Sequence, residues 1–492
     1  MSYPILLLVG GLALGLLPLP RIELDPEIVF LLVLPPLLYV SAFFTPVRDF
    51  KANLPHITSL AVGLVLMSTV AVAGVAMLLV PGISWPLAVV LGAIVSPPDA
   101  VAASAIAERL AVPRRIVSIL EGESLLNDAT ALTVYRAALA AAATAATVSA
   151  LGSIASFFVV AVGGIAIGLV VGWLMVEVRA RITDTPVEIT ASLLTPYAAY
   201  LPAELLGVSG VLAAVTAGLF IGRRASRIMG SAVRLAGRAV WEMVVFLLNG
   251  FVFLGIGLQI STLSRDMDRT TLLELATVGL VVSVVLLAVR AAWLLVMSLT
   301  KLLRGRARLA EAALVSWAGM RGVVSLAAAL AVPVALPSGA PVPARDAIIV
   351  ITFTVILVTL GGQGLTLPLV VRALRLGGAD DGRHEESHAR RELVDEALQR
   401  LDELNAVWPA HRELLDQMRA TYRHRSDHEE QHHEVPGSAA EQELVEHRQI
   451  RRDVIDAQRD ALVRLRNDGS IDDDVLRRIE RDLDLEELRM EA

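Results

Sequence analysis

Long apolar runs alternate with short polar connections over the first three quarters of the chain. From the first residues to about position 376, runs of roughly 18 or more mostly apolar residues recur, and each is long enough to cross a bilayer as a helix. The runs lack the short alternating strands that are typical of a membrane β-barrel. The pattern therefore predicts an all-α membrane protein.

We predict about twelve spans from these runs. They cover approximately residues 3–19, 27–44, 55–80, 86–107, 114–143, 151–177, 187–203, 207–222, 239–260, 271–300, 309–333 and 345–372. The first run begins next to Met1 without a basic segment before it and leads directly into further spans, so we expect no cleaved signal peptide. The mean hydropathy of +0.63 agrees with a membrane protein.

Lys and Arg are distributed unevenly between the connections. The connections after spans 2, 4, 6, 8 and 10 contain 16 of these residues, whereas the alternate connections contain 4. Because cytoplasmic connections carry the excess of Lys and Arg, we expect the first set in the cytoplasm. An even number of spans then predicts that both termini are cytoplasmic.

The composition changes at about residue 377, where charged residues become frequent. Leucines at helical spacing in ELVDEALQRLDELNAV and DAQRDALVRLRND predict amphipathic helices. We therefore predict a transmembrane domain, residues 1–376, and a helical cytoplasmic tail with a regulatory role, residues 377–492. The chain contains no cysteine, which excludes disulfides and thiol chemistry.

Span 5 contains the stretch EGESLLNDATALTVY, in which polar residues interrupt an apolar run. Asp128 lies 14 residues into this span, about 21 Å along a helix. Glu123 and Asn127 are four residues apart, as are Ser124 and Asp128, so they share adjoining helix faces. A carboxylate near the centre of a membrane helix costs ~2.5–3.5 kcal/mol, which favours a functional site. The alternative is a structural polar cluster between helices.

Spans 4 and 11 contain helix-breaking residues near their centres. In span 4, GAIVSPPDAVAAS places Pro97 and Pro98 beside Asp99, and each proline removes a backbone donor. In span 11, WAGMRGVVSLAAAL places Arg321 between two glycines. One interrupted span in each half predicts an inverted-repeat secondary transporter. The alternative for span 4 is a simple proline kink.

Span 10 contains an arginine, Arg290, in the middle of the apolar stretch LLAVRAAW. A buried arginine requires a carboxylate partner, because an unpaired charge is strongly destabilising in the interior. We predict that Glu123 is this partner.

Several of these motifs, taken in their order along the chain, resemble those of sodium/proton antiporters of the NhaP/NHE type. The motifs are GESLLND, SPPDAVA, LLAVRAAW and GMRGVVSLA, together with LPPLLY, FLLNGFVFLGIGLQ and GGQGLTLPLVV. The similarity covers residues 3–376. It implies a core of spans 3–5 and 10–12, in which the two interrupted helices cross, and a scaffold of spans 1–2 and 6–9 that pairs the protomers.

The resemblance also implies roles for individual residues. Asp128 would bind either the cation, Na+, or the proton, and Asn127 beside it marks a class associated with electroneutral one-for-one exchange. Oxygen ligands would come from Ser124 and the backbone near Pro98. Glu123 and Arg290 would form an ion pair that joins the two halves of the core, and Asp99 and Arg321 would balance the ends of the broken helices.

The chain departs from the family pattern at three places. Pro98 precedes Asp99 and Ala100 follows it, where many relatives have a hydroxyl or apolar residue before the aspartate and a proline after it. Val40 stands where some relatives carry an acid. Many relatives also begin with one more helix.

The expected function is exchange of Na+ (or Li+) for H+ by alternating access, for pH and sodium homeostasis, in a homodimer in the plasma membrane. The partners are then membrane lipid and the transported ions, without nucleic acid and without a cofactor. No GxxxxGK[ST] motif occurs, so we expect an ion gradient to drive transport. The alternatives are a K+/H+ antiporter, a cation channel and a membrane-embedded enzyme.

Two weaker signals lie outside these motifs. HEESH, residues 384–388, matches the HExxH zinc pattern, but a hydrophilic tail without an apparent third ligand favours a solvated segment. Glu242, at the start of span 9, fits either the ion site or the membrane interface.

Overall fold

The computed structural model describes residues 3–15, 17, 29–144, 150–299, 306–335, 342–376, 381–431, 439–468, 470 and 473–491. The regular secondary-structure elements in these ranges are helices, which confirms the all-α prediction. The chain forms two compact units, Met1–Ala379 and Asp380–Ala492.

The described part of the first unit contains the following α-helices. They are α1 Tyr3–Gly15, α2 Leu34–Phe44, α3 Val47–Thr58, α4 Val65–Leu79, α5 Trp85–Val95, α6 Ala100–Arg109, α7 Arg114–Thr144, α8 Ala150–Arg179, α9 Thr185–Leu205, α10 Gly210–Gly222, α11 Ala225–Ile228, α12 Ser231–Asp266, α13 Arg269–Leu299, α14 Arg306–Trp317, α15 Val323–Leu330, α16 Arg345–Leu357 and α17 Gly364–Leu374. Wide π-helical turns occur at Val29–Val33, Ser59–Leu64 and Val358–Gln363.

Each of the twelve predicted segments overlaps at least one of these helices. Within the described residues, five helical runs are long and apolar enough to cross a membrane by themselves: Val47–Leu79, Phe158–Arg179, Ser231–Gly255, Arg269–Met297 and Arg345–Leu374. The third predicted span, residues 55–80, begins earlier in the structure, at Val47. The polar segment at its start forms an amphipathic helix that buries Phe50 and Ile57.

The helices of the first unit pack in two groups. In one, α4 packs on α5 and α13, α7 packs on α3 and α5, and α16 packs on α13 and α15. In the other, α10 packs on α2, α8 and α9, and α1 packs on α12. Small residues permit the close approach of α8 and α10, since a side chain on Gly164 or Gly168 would meet the backbone of Ser209 or Ala213.

Two spans are interrupted where the sequence predicts. Residues 96–99 separate α5 from α6, and residues 318–322 separate α14 from α15. Consecutive prolines break the first span because neither can donate a backbone hydrogen bond. At the second break, Gly322 lies so close to the Asp99 carboxylate that a Cβ atom would overlap it. The two interruptions are therefore neighbours in space.

The second unit consists of helices α18 Asp381–Val407, α19 Arg412–Gln431, α20 Ala439–Asn467 and α21 Asp473–Glu491. They pack as the pairs α18–α19 and α20–α21, with buried Leu401, Leu415, Leu462 and Leu483 along their apolar faces. Arg459 on α20 reaches Asp484 and Glu487 on α21, each at 2.6 Å. The amphipathic leucine pattern thus forms helical hairpins, as expected for such faces.

Candidate functional site

Glu123 and Arg290 form a buried ion pair between α7 and α13. Arg290 Nη1 and Nη2 donate to the two carboxylate oxygens of Glu123 at 2.5 and 2.7 Å. Both residues are 1% exposed. This bidentate geometry is the strongest form of arginine–carboxylate contact, and it satisfies two charges that would be very costly alone.

Arg290 also contacts the second interrupted span. Its Nε donates at 3.0 Å to the carbonyl of Val315, in the last turn of α14. Gly319 lies against the same side chain, and a Cβ there would come within 2.8 Å of Arg290 Cδ. A cation at a helix C-terminus satisfies free carbonyls and opposes the negative end of the helix dipole. Arg290 thereby joins α7, α13 and α14.

Arg321 hydrogen-bonds to the helix end at the first interruption, as Arg290 does at the end of α14. Its Nε donates to the carbonyl of Val95 at 2.9 Å, and its Nη2 to that of Ser96 at 3.4 Å. These are the last carbonyls of α5, so a buried guanidinium from span 11 caps a helix of span 4. The backbone N–H of Arg321 donates to Thr359 Oγ1 in the wide turn of span 12.

Asp99 is the last residue of the first interruption, and it lies against the second interruption. Its backbone N–H donates to the carbonyl of Met320 at 2.6 Å, and its carboxylate contacts Gly322 at the start of α15. The side chain therefore lies at the N-terminal ends of two half-helices, α6 and α15. A negative charge is favourable at a helix N-terminus because the free N–H groups carry partial positive charge.

Asn127 fixes the unwound backbone to α7. Its Nδ2 donates to the carbonyl of Pro98 at 2.8 Å, and the residue is fully buried. Asn127 does not belong to the lining of the cavity described next. The amide holds the Pro98 carbonyl in position beside Asp128.

A small cavity of about 60 Å³ lies beside this backbone and contains the remaining predicted residues. A cavity of this size has room for a few water-sized groups. Its polar lining comes from four helices and the first interruption: Ser41, Pro97, Pro98, Asp99, Ser124, Asp128, Asn249 and Ser325. The structure thus brings Asp128, Ser124, Asp99 and Pro98 together around one space, whereas Glu123, Arg290 and Arg321 lie outside its lining.

Asp128 differs from Glu123, Arg290 and Arg321 because no partner for its carboxylate occurs among the described residues. It is 6% exposed, and neither a hydrogen bond nor an ion pair from the described residues reaches its carboxylate. Asp99 is its electrostatic neighbour across the cavity. A bare carboxylate is unfavourable in such a place unless a cation or a proton neutralises it. Oxygen atoms from carboxylates, hydroxyls and a carbonyl form a suitable environment for a small hard cation.

The sequence interpretation missed three residues of the lining. Asn249 on α12 is 7% exposed, and it is an amide in the middle of the apolar run VVFLLNGFVFLG, which is a usable signal. Ser325 on α15 and Ser41 on α2 are small hydroxyl residues of a kind common in membrane helices. Nothing in the local sequence separates these two from serines that bond only to their own helix.

The weaker signals do not contribute to the lining of the cavity. Glu242 forms an exposed pair with Arg238, with Oε1 at 2.9 Å from Nε. In HEESH, the side chains of residues 384–387 lie outside the described residues, and His388 is exposed. Within the part of the chain that is described, no three His, Asp or Glu side chains are placed to hold a metal ion.

Comparisons with known proteins give matches over most of the chain. A family model described as sodium/hydrogen exchanger, transmembrane, matches residues 1–373. The chain is 37% identical over 504 residues to an uncharacterized Na+/H+ exchanger of Mycobacterium tuberculosis, covering 99% of this chain and 91% of that protein. It is 35% identical over 422 residues to a sodium, potassium, lithium and rubidium/H+ antiporter of Bacillus pumilus, covering 81% and 62% of the two chains.

A solved structure supports the fold. The sodium proton antiporter MjNhaP1 from Methanocaldococcus jannaschii superposes with a TM-score of 0.60 at 20% identity, covering 76% of this chain and 92% of that one. At this identity the similarity concerns the fold alone.

Proposed function

Because the chain belongs to the sodium/hydrogen exchanger family, we propose that it exchanges Na+ for H+ at Asp128 by alternating access. The protein is a multi-pass membrane protein and a secondary transporter, not an enzyme. The observation that carries the proposal is the contrast on α7: Glu123 is paired with Arg290, whereas Asp128 lines a cavity and has no ion-pair partner among the residues that the structure describes.

In this proposal the sodium ion and the proton compete for one carboxylate. Na+ would bind Asp128 with oxygen ligands from Ser124 and from the unwound backbone near Pro98, and Asp99 would add negative charge to the same space. Asn127 would hold the Pro98 carbonyl toward the ion. Since either ion neutralises Asp128, movement of the loaded carrier avoids exposing a bare charge to a low-dielectric interior.

The stoichiometry is proposed to be one Na+ for one H+, and therefore electroneutral. Glu123 is engaged by Arg290, and the Asp99 carboxylate lies against the end of α15. Asp128 is then the one carboxylate of the cavity that is free to exchange its ligand. Lithium, which is a similarly hard cation, would be transported through the same site.

The moving part is proposed to be the core of spans 3–5 and 10–12, with two crossing interrupted helices related by an inverted repeat. Its support is the contact between the interruptions, through Arg321 with Val95 and through Asp99 with Met320. The scaffold would be spans 1–2 and 6–9. Because Asn249 belongs to the scaffold and Asp128 to the core, the cavity lies where the two parts would slide.

The topology proposed is twelve spans with both termini in the cytoplasm, in a homodimer of the plasma membrane. The 16-to-4 distribution of Lys and Arg supports this orientation. The tail, residues 377–492, would be a cytoplasmic regulatory domain. The physiological role would be pH and sodium homeostasis.

Potassium exchange is not favoured as the main activity. The family description and the relatives of Mycobacterium tuberculosis and Escherichia coli name sodium. The relative from Bacillus pumilus is named for four cations that include both sodium and potassium. The cavity geometry carries no separate argument for the larger ion.

The test is proton flux in proteoliposomes that contain the purified protein, with the membrane voltage clamped. A sodium gradient should drive proton movement in the opposite direction, lithium should replace sodium, and potassium should be less effective. Flux that does not change with the clamped voltage would support electroneutral exchange. Ion conductance in planar bilayers, or proton movement that ignores sodium, would contradict the proposal.

A further inference from the structure

A second cavity, whose lining shares no residue with the cavity at Asp128, lies where several helix ends meet. It has a volume of about 590 Å³. It is bounded by the ends of α2, α8 and α10 and by the beginnings of α9 and α12. By the proposed orientation, all of these ends face the cytoplasm, so the cavity lies at the inner surface of the membrane. The ion-exchange mechanism uses none of its residues.

The lining of this cavity is strongly basic. It includes Arg179, Arg223, Arg234 and Arg238, and it includes neither aspartate nor glutamate. Two of the arginines have carboxylate partners outside the lining: Arg179 with Glu188, and Arg238 with Glu242. The cavity therefore keeps an excess of positive charge that would attract an anion.

Arg179 is the least expected member of this set, because its side chain is fully buried. Its single ion pair, from Nη2 to Glu188 Oε1, measures 3.4 Å, and both side chains are at most 4% exposed. No hydrogen bond of normal geometry from the described residues reaches its Nε or Nη1. Buried guanidinium donors are costly when they lack acceptors. Arg179 borders the cavity, so an anion bound there would add negative charge beside this poorly paired guanidinium.

The aromatic residues of the cavity suit a ligand that lies at a membrane surface. Phe43, Phe44 and Trp241 belong to the lining, and Phe44 is 50% exposed. Trp241 donates from Nε1 to Ser192 Oγ at 2.9 Å, so its ring is held in place. Tryptophan is enriched at the depth of the headgroups, where its apolar ring and its polar N–H are both satisfied.

We propose that this cavity binds a phosphate group, presented by an anionic lipid of the inner leaflet or by free phosphate. Arginine forks match the geometry of phosphate oxygens, and several arginines around one anion give charge-assisted hydrogen bonds. The proposal rests on the proposed membrane orientation but not on the identity of the transported ion.

The experiment measures ligand-dependent thermal stabilisation of the full-length protein in neutral detergent. The probes are phosphatidylglycerol, phosphatidylcholine, and sodium phosphate compared with sodium chloride at equal sodium concentration and ionic strength. Equal sodium is essential because sodium is the proposed substrate. Binding to the folded state raises the melting temperature in a saturable way, which gives an apparent dissociation constant.

The variant Arg223→Gln/Arg238→Gln has a closely matched control, Arg181→Gln/Arg227→Gln. Arg238 and Arg181 each form an exposed i,i+4 pair with a glutamate. Arg223 and Arg227 are exposed in the same connection, but Arg227 and Arg181 do not line the cavity. Both double variants thus remove two positive charges from connections that the proposed orientation places on the same side of the membrane, and only the first variant changes the lining of the cavity.

We expect phosphatidylglycerol to stabilise the wild type and the control alike, and phosphatidylcholine to have little effect. Loss of two cationic contacts should weaken phosphatidylglycerol binding by about thirtyfold in the cavity variant. If sodium phosphate alone gives the same variant-sensitive stabilisation, the source is free phosphate and the phosphate site stands. Equal binding by the two double variants, or no saturable stabilisation by either probe, would overturn the proposal.

A further variant tests the buried arginine without leaving a charge unpaired. Arg179→Gln/Glu188→Gln replaces both buried charges by amides that can still hydrogen-bond to each other. We expect a monodisperse protein that has lost the stabilisation by phosphatidylglycerol. Wild-type affinity in this variant would show that Arg179 is not part of a phosphate site. Because the readout is binding, it remains informative even if ion exchange fails its own test.

Discussion

Glu123 and Asp128 lie five residues apart on α7, yet only Glu123 is paired with a cation. The Glu123 carboxylate is held by Arg290, whereas the Asp128 carboxylate faces a cavity without a partner. Helix α7 therefore carries Glu123, which forms a structural ion pair, and Asp128, which is available to bind an ion. The first two predictions separate these environments.

Asp128→Asn should abolish sodium-driven proton flux and leave the protein folded. The amide has the same size as the acid, so packing is kept, but it can neither release a proton nor balance the charge of Na+. Proton flux in proteoliposomes and size-exclusion profiles check the two parts. Asp346→Asn is the matched control because Asp346 has a 70% exposed side chain at the start of α16. Robust flux from Asp128→Asn would contradict the assignment.

Glu123→Gln should strongly destabilise the protein, by about 3–5 kcal/mol, because it leaves the Arg290 charge buried and unpaired. Neutralising the partner as well, in Glu123→Gln/Arg290→Gln, should recover part of this loss. Thermal melting of detergent-purified protein measures both effects.

The control for this prediction is Glu177→Gln, which breaks an exposed i,i+4 pair with Arg181. Such a surface pair contributes about 0–1 kcal/mol, so the control should melt close to the wild type. An equally stable Glu123→Gln single variant would rule out a structural role for the buried pair.

Gly322→Ala should lower the exchange rate by on the order of a hundredfold, because the added Cβ displaces the Asp99 carboxylate from the cavity. Gly74→Ala is a suitable control, since nothing lies within 4 Å of a Cβ built at that helical glycine. Initial rates at saturating sodium, normalised to the amount of folded protein, check the prediction. Full activity of Gly322→Ala would place Asp99 outside the working site.

Asn249→Leu should raise the apparent KM for sodium by about five- to tenfold, because one neutral oxygen ligand or water anchor is worth about 1 kcal/mol. The maximal rate should change less, since Asp128 remains. Sodium titrations of the variant measure both quantities. Ser283→Ala, which removes a buried hydroxyl that bonds only its own helix at Gly279, should behave as wild type. An unchanged KM in Asn249→Leu would exclude Asn249 from the site.

Acidification should raise the apparent KM for sodium while the maximal rate is kept. If one proton competes with one sodium ion at Asp128, the KM should approach a tenfold rise per pH unit once the site is mostly protonated, about one proton per ion by linkage. Sodium titrations at several pH values, with equal pH on both sides of the vesicle, check this. A constant KM with a falling maximal rate would indicate protonation at another residue.

The sequence predicts those features for which any other arrangement would cost a large free energy at a single residue. Two consecutive prolines at Pro97 and Pro98 cannot continue a helix, so the interruption follows from the residues alone. A mid-membrane arginine such as Arg290 requires an acid, and Glu123 lies in the one strongly polar stretch of another span. In both cases few alternatives exist in an apolar environment.

The contacts that could not be predicted join residues that are distant in the sequence. Arg321 reaches the carbonyl of Val95, which lies 226 residues earlier in the sequence, and no residue type marks a carbonyl acceptor. The wide turn that brings Thr359 to Arg321 has no local signature in VTLGGQ. The place of Asn249 in the cavity likewise depends on how α12 packs against the other helices.

The hydrogen bonds between the two interrupted spans restrict how these two segments of the sequence can change in evolution. Arg321 completes the broken end of α5, and Asp99 donates its N–H to the carbonyl of Met320, so each interruption is completed by the other. A substitution in SPPD therefore changes the demands on GMRG, although more than 200 residues separate them. The two motifs should therefore change together in evolution. A chain that acquired only one of them would gain an unsatisfied helix end instead of half a site.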